Sequence, residues 1–61
     1  MKNMLTKKEL TLLHDLLVLE ECATKKARLY ARTVTDMKLA EEFKKIADNH
    51  HARFNDLYNL L

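Results

Sequence analysis

Apolar residues recur along this chain in two runs of alternating three- and four-residue spacing. In the first, Leu10 is followed by Leu13, Leu17, Glu20, Thr24, Ala27, Ala31 and Val34, the inward seam of a bundle helix. Leu12, Leu16, Leu19, Ala23 and Tyr30 widen that stripe. A helix that packs on one neighbour needs only a narrow seam, so the breadth predicts contact with more than one helix. In the second run Leu39, Phe43, Ile46, His50, Phe54 or Arg53, Leu57 and Leu61 repeat at the same spacing. Glu41, Glu42, Lys44, Lys45, Asn49 and Asn55 fall largely on other faces.

The boundaries are marked by chemistry rather than by glycine or proline, both of which are absent. Thr6-Lys7-Lys8-Glu9 has the T-x-x-E form of a capping box, in which Thr6 and Glu9 satisfy each other's backbone N–H groups. The β-branched, polar run Thr33-Val34-Thr35-Asp36 is the weakest point for helix, and Asp36 is a good N-cap for a second helix. The pattern therefore predicts an all-α chain, a single domain over 1–61 built as an antiparallel hairpin of two helices, about 7–33 and about 37–60. The expected core is Leu10, Leu13, Leu17, Leu39, Phe43, Ile46, Phe54 and Leu57.

Length changes the picture. A chain of 61 residues buries only about 60% of its extended surface, so a core of its own is marginal. Cys22 is the only cysteine and no Cys/His cluster offers a structural zinc, which leaves association as the source of stability. The simplest partner is a second copy, giving a homodimeric four-helix bundle or a higher homo-oligomer; docking on a larger helical protein is the other solution the pattern admits. A net charge of +2 spread over mixed signs is not a nucleic-acid footprint. No apolar run approaches the roughly 18 residues of a membrane span, and Met1–Leu13 lacks a continuous signal-peptide core, so a soluble protein made without export is expected.

Two polar residues interrupt the seams, Glu20 in the first helix and His50 in the second. Each lies fifteen positions from Thr35, so an antiparallel hairpin sets them at one height. Two hairpins related by a two-fold axis would bring both Glu20 and both His50 side chains into one central layer. Carboxylate and imidazole are ligands for iron and zinc, with Glu21, Asp48 and His51 as auxiliary candidates. A carboxylate-bridged bundle site, however, uses Glu-x-x-His, and the residue three before His50 is Ala47. The Asp48/His51 pair is rotated about 100° from the seam. The competing reading is a metal-free hydrogen-bonded pair that fixes register, as a buried polar residue does in coiled coils.

The remaining candidates read as surface or packing. Cys22 has neither an adjacent His nor a helix N-terminus to activate it, and His14 reads as an exposed helix residue. Tyr30 and Tyr58 are assigned to packing, and Lys25, Lys26, Arg28 and Arg32 to a solvated face. Glu21 with Lys25 and Glu41 with Lys45 are i,i+4 pairs in the favourable order. No set of residues points to catalysis.

Leu16-Leu17 with Glu20, Lys25-Lys26, Tyr30-Ala31, Asp36, Leu39 and Ala47-Asp48 with His50 together resemble the small spore coat protein F-like family of endospore-forming Firmicutes, over nearly the whole chain. That family is similar to the ferritin-like helical superfamily. The resemblance implies a hairpin that completes a ferritin-like bundle. It also implies a structural role in the spore coat without catalysis, assembly from the mother-cell cytoplasm, and other coat proteins as partners. Glu20 and His50 match positions similar to the ferritin-like metal ligands, and Ala47 departs from that pattern. The alternative function is accordingly a metal-binding, redox-active protein with a reduced Glu/His site at the dimer core.

Overall fold

The computed structural model describes residues 5–61; the first four residues of the Met1–Leu13 stretch lie outside them. Two helices, α1 (Lys7–Thr33) and α2 (Met37–Tyr58), pack against each other as a hairpin, and no strand occurs among the described residues. The second helix stops two residues short of the expected end: the Asn59 backbone N–H bonds to the Asn55 and Leu57 carbonyls and closes the last turn. None of the described helices is long and apolar enough to cross a membrane.

Both helix starts are set by side chains. The Thr6 hydroxyl accepts the Glu9 backbone N–H at 3.1 Å, and the Glu9 carboxylate accepts the Thr6 N–H at 2.9 Å, the reciprocal capping box expected from the sequence. Asp36 accepts the Leu39 N–H at 2.8 Å and caps α2. Between the helices, Val34 and Asp36 are extended, and no described residue has a positive φ, so the turn is made without the conformation that demands glycine. Val34 leaves the helix while its own N–H still bonds to the Tyr30 carbonyl at 3.1 Å. The Thr33 hydroxyl folds back onto the Leu29 carbonyl at 2.7 Å.

The seam is narrower and built of smaller residues than the sequence suggested. Leu13, Leu17, Thr24, Ala27 and Ala47 are buried, and Ala47, at 1% exposure, is the most enclosed of them. Thr24 donates its hydroxyl to the Glu20 carbonyl at 2.8 Å, which removes the cost of burying it. Of the expected core, Phe43, Phe54 and Leu57 are half-buried, whereas Leu10, Leu39 and Ile46 are exposed. The reason is geometric. Two helices side by side make one layer, 46 × 16 × 9 Å along its principal axes, and a single layer covers only the side chains on the line between its helices. The radius of gyration is 14.4 Å, against about 10.5 Å for a compact chain of this length.

Candidate functional site

Mid-height on the seam, α1 and α2 each present one polar side chain, and the two meet. His50 Nδ1 lies 2.6 Å from Glu20 Oε1, and Arg53, one turn further along α2, places Nε 3.2 Å from Glu20 Oε2. Glu20 is the central residue of α1, with thirteen helical residues on each side. The side chains of Glu20, His50 and Arg53 are 17%, 27% and 55% exposed, a gradient running from the seam outward.

Hydrogen-bond chemistry assigns the proton positions. Arg53 Nη2 also lies 2.9 Å from His50 Nδ1, but one imidazole nitrogen cannot donate to a carboxylate and accept from a guanidinium at once. The His50 Nδ1–H bond, above all, holds the Glu20 carboxyl below its usual range; burial pushes the other way, and Arg53 adds a second bond and its positive charge. Glu20 is thus an anion, Nδ1 carries the proton, and the carboxylate accepts on both oxygens. Arg53 Nη2 then faces a donor, and its N–H groups have no acceptor among the described residues.

Glu21, Asp48 and His51 do not join this cluster. One residue further round their helices, Glu21 and His51 line a shallow cleft of about 160 Å³ with Thr24, Lys25, Arg28 and Phe54, on the opposite side of the hairpin. Asp48 is exposed. No group of three or more His, Cys, Asp or Glu side chains able to hold a metal occurs among the described residues. The Glu20/His50 donor set also fits a metal poorly on its own chemistry. A guanidinium already stands against the carboxylate, and Ala47 fills the position where Glu-x-x-His would supply a second carboxylate. Enclosure of Ala47 gives that departure a packing reason, since a glutamate there would have to enter the tightest point of the seam.

Arg53 is the residue that sequence reasoning left undecided, as an alternative to Phe54 on the seam. Its signal was its spacing: Leu39, Ile46, Arg53 and Leu60 lie seven residues apart, on a stripe beside the seam. Phe54 takes the seam position and stacks on Tyr58 at a centroid distance of 6.1 Å. Tyr30 packs on Phe43 at 5.5 Å. Glu21 pairs with Lys25 at 3.7 Å as expected, while Lys45 pairs with Glu42 at 3.6 Å rather than with Glu41, since positions three apart are also neighbours on a helix. Cys22 and His14 are exposed.

No protein-family model, curated protein or solved structure matches the chain.

Proposed function

We propose that this chain is a non-enzymatic building block, a helical hairpin that packs face to face with a second copy to complete a four-helix bundle. In this reading it serves in a protein shell of the spore coat kind, made in the mother-cell cytoplasm, as its sequence resemblance implies. The observation that carries self-association is one apolar face left open. Helical phase places Leu12, Leu16, Leu19, Ala23 and Tyr30 of α1 on the same side of the hairpin as Leu39, Ile46 and Leu60 of α2. Leu12, Leu16, Leu19, Tyr30, Leu39, Ile46 and Leu60 are all exposed in the single hairpin.

The area agrees in scale with a dimer. A compact monomer of 7.2 kDa exposes about 4100 Å², and this chain exposes 5129 Å². The excess is comparable to the roughly 800 Å² that each partner contributes to a standard interface. Stacking a second layer is also the usual way a helix layer acquires a two-sided core. The test is sedimentation equilibrium with circular dichroism across a dilution series. The expected result is a dimer, or a multiple of it, whose helicity falls on dilution; a well-folded, strongly helical monomer at micromolar concentration would overturn the proposal.

A metal-binding layer of iron or zinc is the second reading. One feature favours it: a His whose Nδ1–H is held by a carboxylate presents Nε2 in the orientation used by metal-bound imidazoles. It requires two hairpins to pool their Glu20 and His50 side chains and both Arg53 guanidinium groups to withdraw. We expect elemental analysis of chelator-free protein to give a metal content near zero, and added iron or zinc to leave the melting temperature unchanged. A metal bound by the folded state alone would have to raise it.

A further inference from the structure

Arg53 interrupts an otherwise apolar stripe. Leu39, Ile46 and Leu60 are 45%, 43% and 44% exposed, nearly uniform along α2, and Arg53 occupies the one remaining step of the seven-residue repeat. When the open face is covered, this arginine is covered with it. Burying a guanidinium costs several kcal/mol unless its donors find acceptors. Among the described residues of its own hairpin, Nε has an acceptor in the Glu20 Oε2 oxygen at 3.2 Å, while Nη2 abuts His50 Nδ1, the nitrogen assigned above as the donor to Glu20.

We propose that Arg53 reaches across a two-fold interface to Glu20 of a second copy, so that the mid-height polar layer locks the register of the homodimer. This rests on the self-association proposed above and adds to it the choice of partner and alignment.

Symmetry supplies the complement that the single chain lacks. Glu20 is the middle residue of α1 and lies level with the His50/Arg53 turn of α2, so a two-fold axis running along the helices between the two layers sets α1 of one copy over α2 of the other and brings each Arg53 level with the other copy's Glu20. Each copy brings one carboxylate, with lone pairs to spare beyond the two bonds it accepts, and one guanidinium with unused N–H donors. Two carboxylates and two guanidinium groups make a neutral layer. A slip by one helical turn would leave each arginine against Leu16 or Ala23 of the other copy, a buried and unpaired charge. An unrelated helical partner would need a carboxylate at the same height; a second copy carries it already. The apolar stripes supply area in many registers, and the polar layer rejects all but one.

The experiment separates pairing between chains from pairing within one. Glu20→Arg and Arg53→Glu are made singly and together. Each single variant places like charges in its own layer, and we expect its association to weaken by about tenfold or more. Mixing the two variants sets the introduced arginine of one chain opposite the introduced glutamate of the other. The native Arg53 of the first then faces the native Glu20 of the second, so a heterodimer should form near wild-type affinity. The double variant in one chain should also recover. A wild-type dimer whose single variants fail to rescue each other on mixing would overturn this inference while leaving self-association intact; a wild-type monomer would remove both.

A second measurement does not depend on charge reversal. Cys22 is exposed and lies nine residues from both Leu13 and Ala31, half a turn round α1 from the seam, so a spin label there reports the distance between copies without entering the apolar face. The wild type should give one narrow distance. Arg53→Leu, which completes the apolar stripe, should still associate but give a broadened or multiple distribution. An unchanged single distance in Arg53→Leu would overturn the lock.

Discussion

Two stripes run along α2 side by side. The inner one, Phe43, Ala47, His50, Phe54 and Leu57, is buried or half-buried against α1; the outer one, Leu39, Ile46, Arg53 and Leu60, is exposed along its length. Their hydrophobic content is similar and their spacing is the same kind, yet among the described residues only the inner stripe is packed against the other helix. The polar residues show the same contrast. His50 gives its Nδ1 proton to Glu20 at 2.6 Å, whereas Arg53 is bonded through Nε and left with unused donors. The inner stripe is finished by folding. The outer stripe is the surface that the proposed second copy would cover.

Substitutions that separate folding from association should break this comparison if it is wrong. The largest effect is expected from Leu17→Ala on the inner seam, where removing a buried leucine side chain costs about 2–5 kcal/mol and exceeds what a hairpin of this size can lose. Thermal circular dichroism should show the helical signal largely lost. Ile46→Glu on the outer stripe comes next. It forfeits about 1.5–3 kcal/mol of apolar burial in each copy and should move the dimer midpoint to higher concentration in sedimentation. If Leu17→Ala and Ile46→Glu behaved alike at every concentration, the two stripes would not be distinct.

The polar layer sharpens the comparison through pH. The fold holds the Glu20 carboxyl below its ordinary value, chiefly through the His50 bond and secondarily through Arg53. A group whose pKa is depressed on folding stabilises the fold above its unfolded value, about 4.3 for glutamate, and that contribution is lost as pH falls through the folded value. The wild-type melting temperature should therefore drop between about pH 6 and about pH 3 more steeply than that of Glu20→Gln, which has no carboxyl to protonate. Parallel slopes would mean that the layer contributes nothing through this charge. The smallest effect concerns the turn, which both stripes share. Asp36→Ala removes the α2 cap and should cost about 1 kcal/mol, read as a uniform fall in melting temperature with no change in the slope of association.

Much of this molecule is dictated by local chemistry. The Thr6/Glu9 box, the Asp36 cap and the unbroken helical periodicity on either side of Thr33-Val34-Thr35-Asp36 specify where each helix starts and where the chain turns. Hydrogen bonds of that kind span three or four residues, so the sequence carries both partners in one window. The meeting of Glu20 with His50 was also legible, because equal distances from a short turn fix equal heights in an antiparallel pair.

Tertiary structure decided what lies between and outside the helices. Leu10, Leu39 and Ile46 have the periodicity of core residues, but a single layer leaves them 42%, 45% and 43% exposed. Ala47, inconspicuous in the sequence except as a missing ligand, is the most enclosed of the buried residues. The choice of Phe54 over Arg53 for the seam, and the convergence of both His50 and Arg53 on one carboxylate, depend on the rotation of each helix about its own axis. Hydrophobic spacing defines that rotation only to within the width of the stripe, and here the stripe is wide; side-chain packing across the seam fixed the angle.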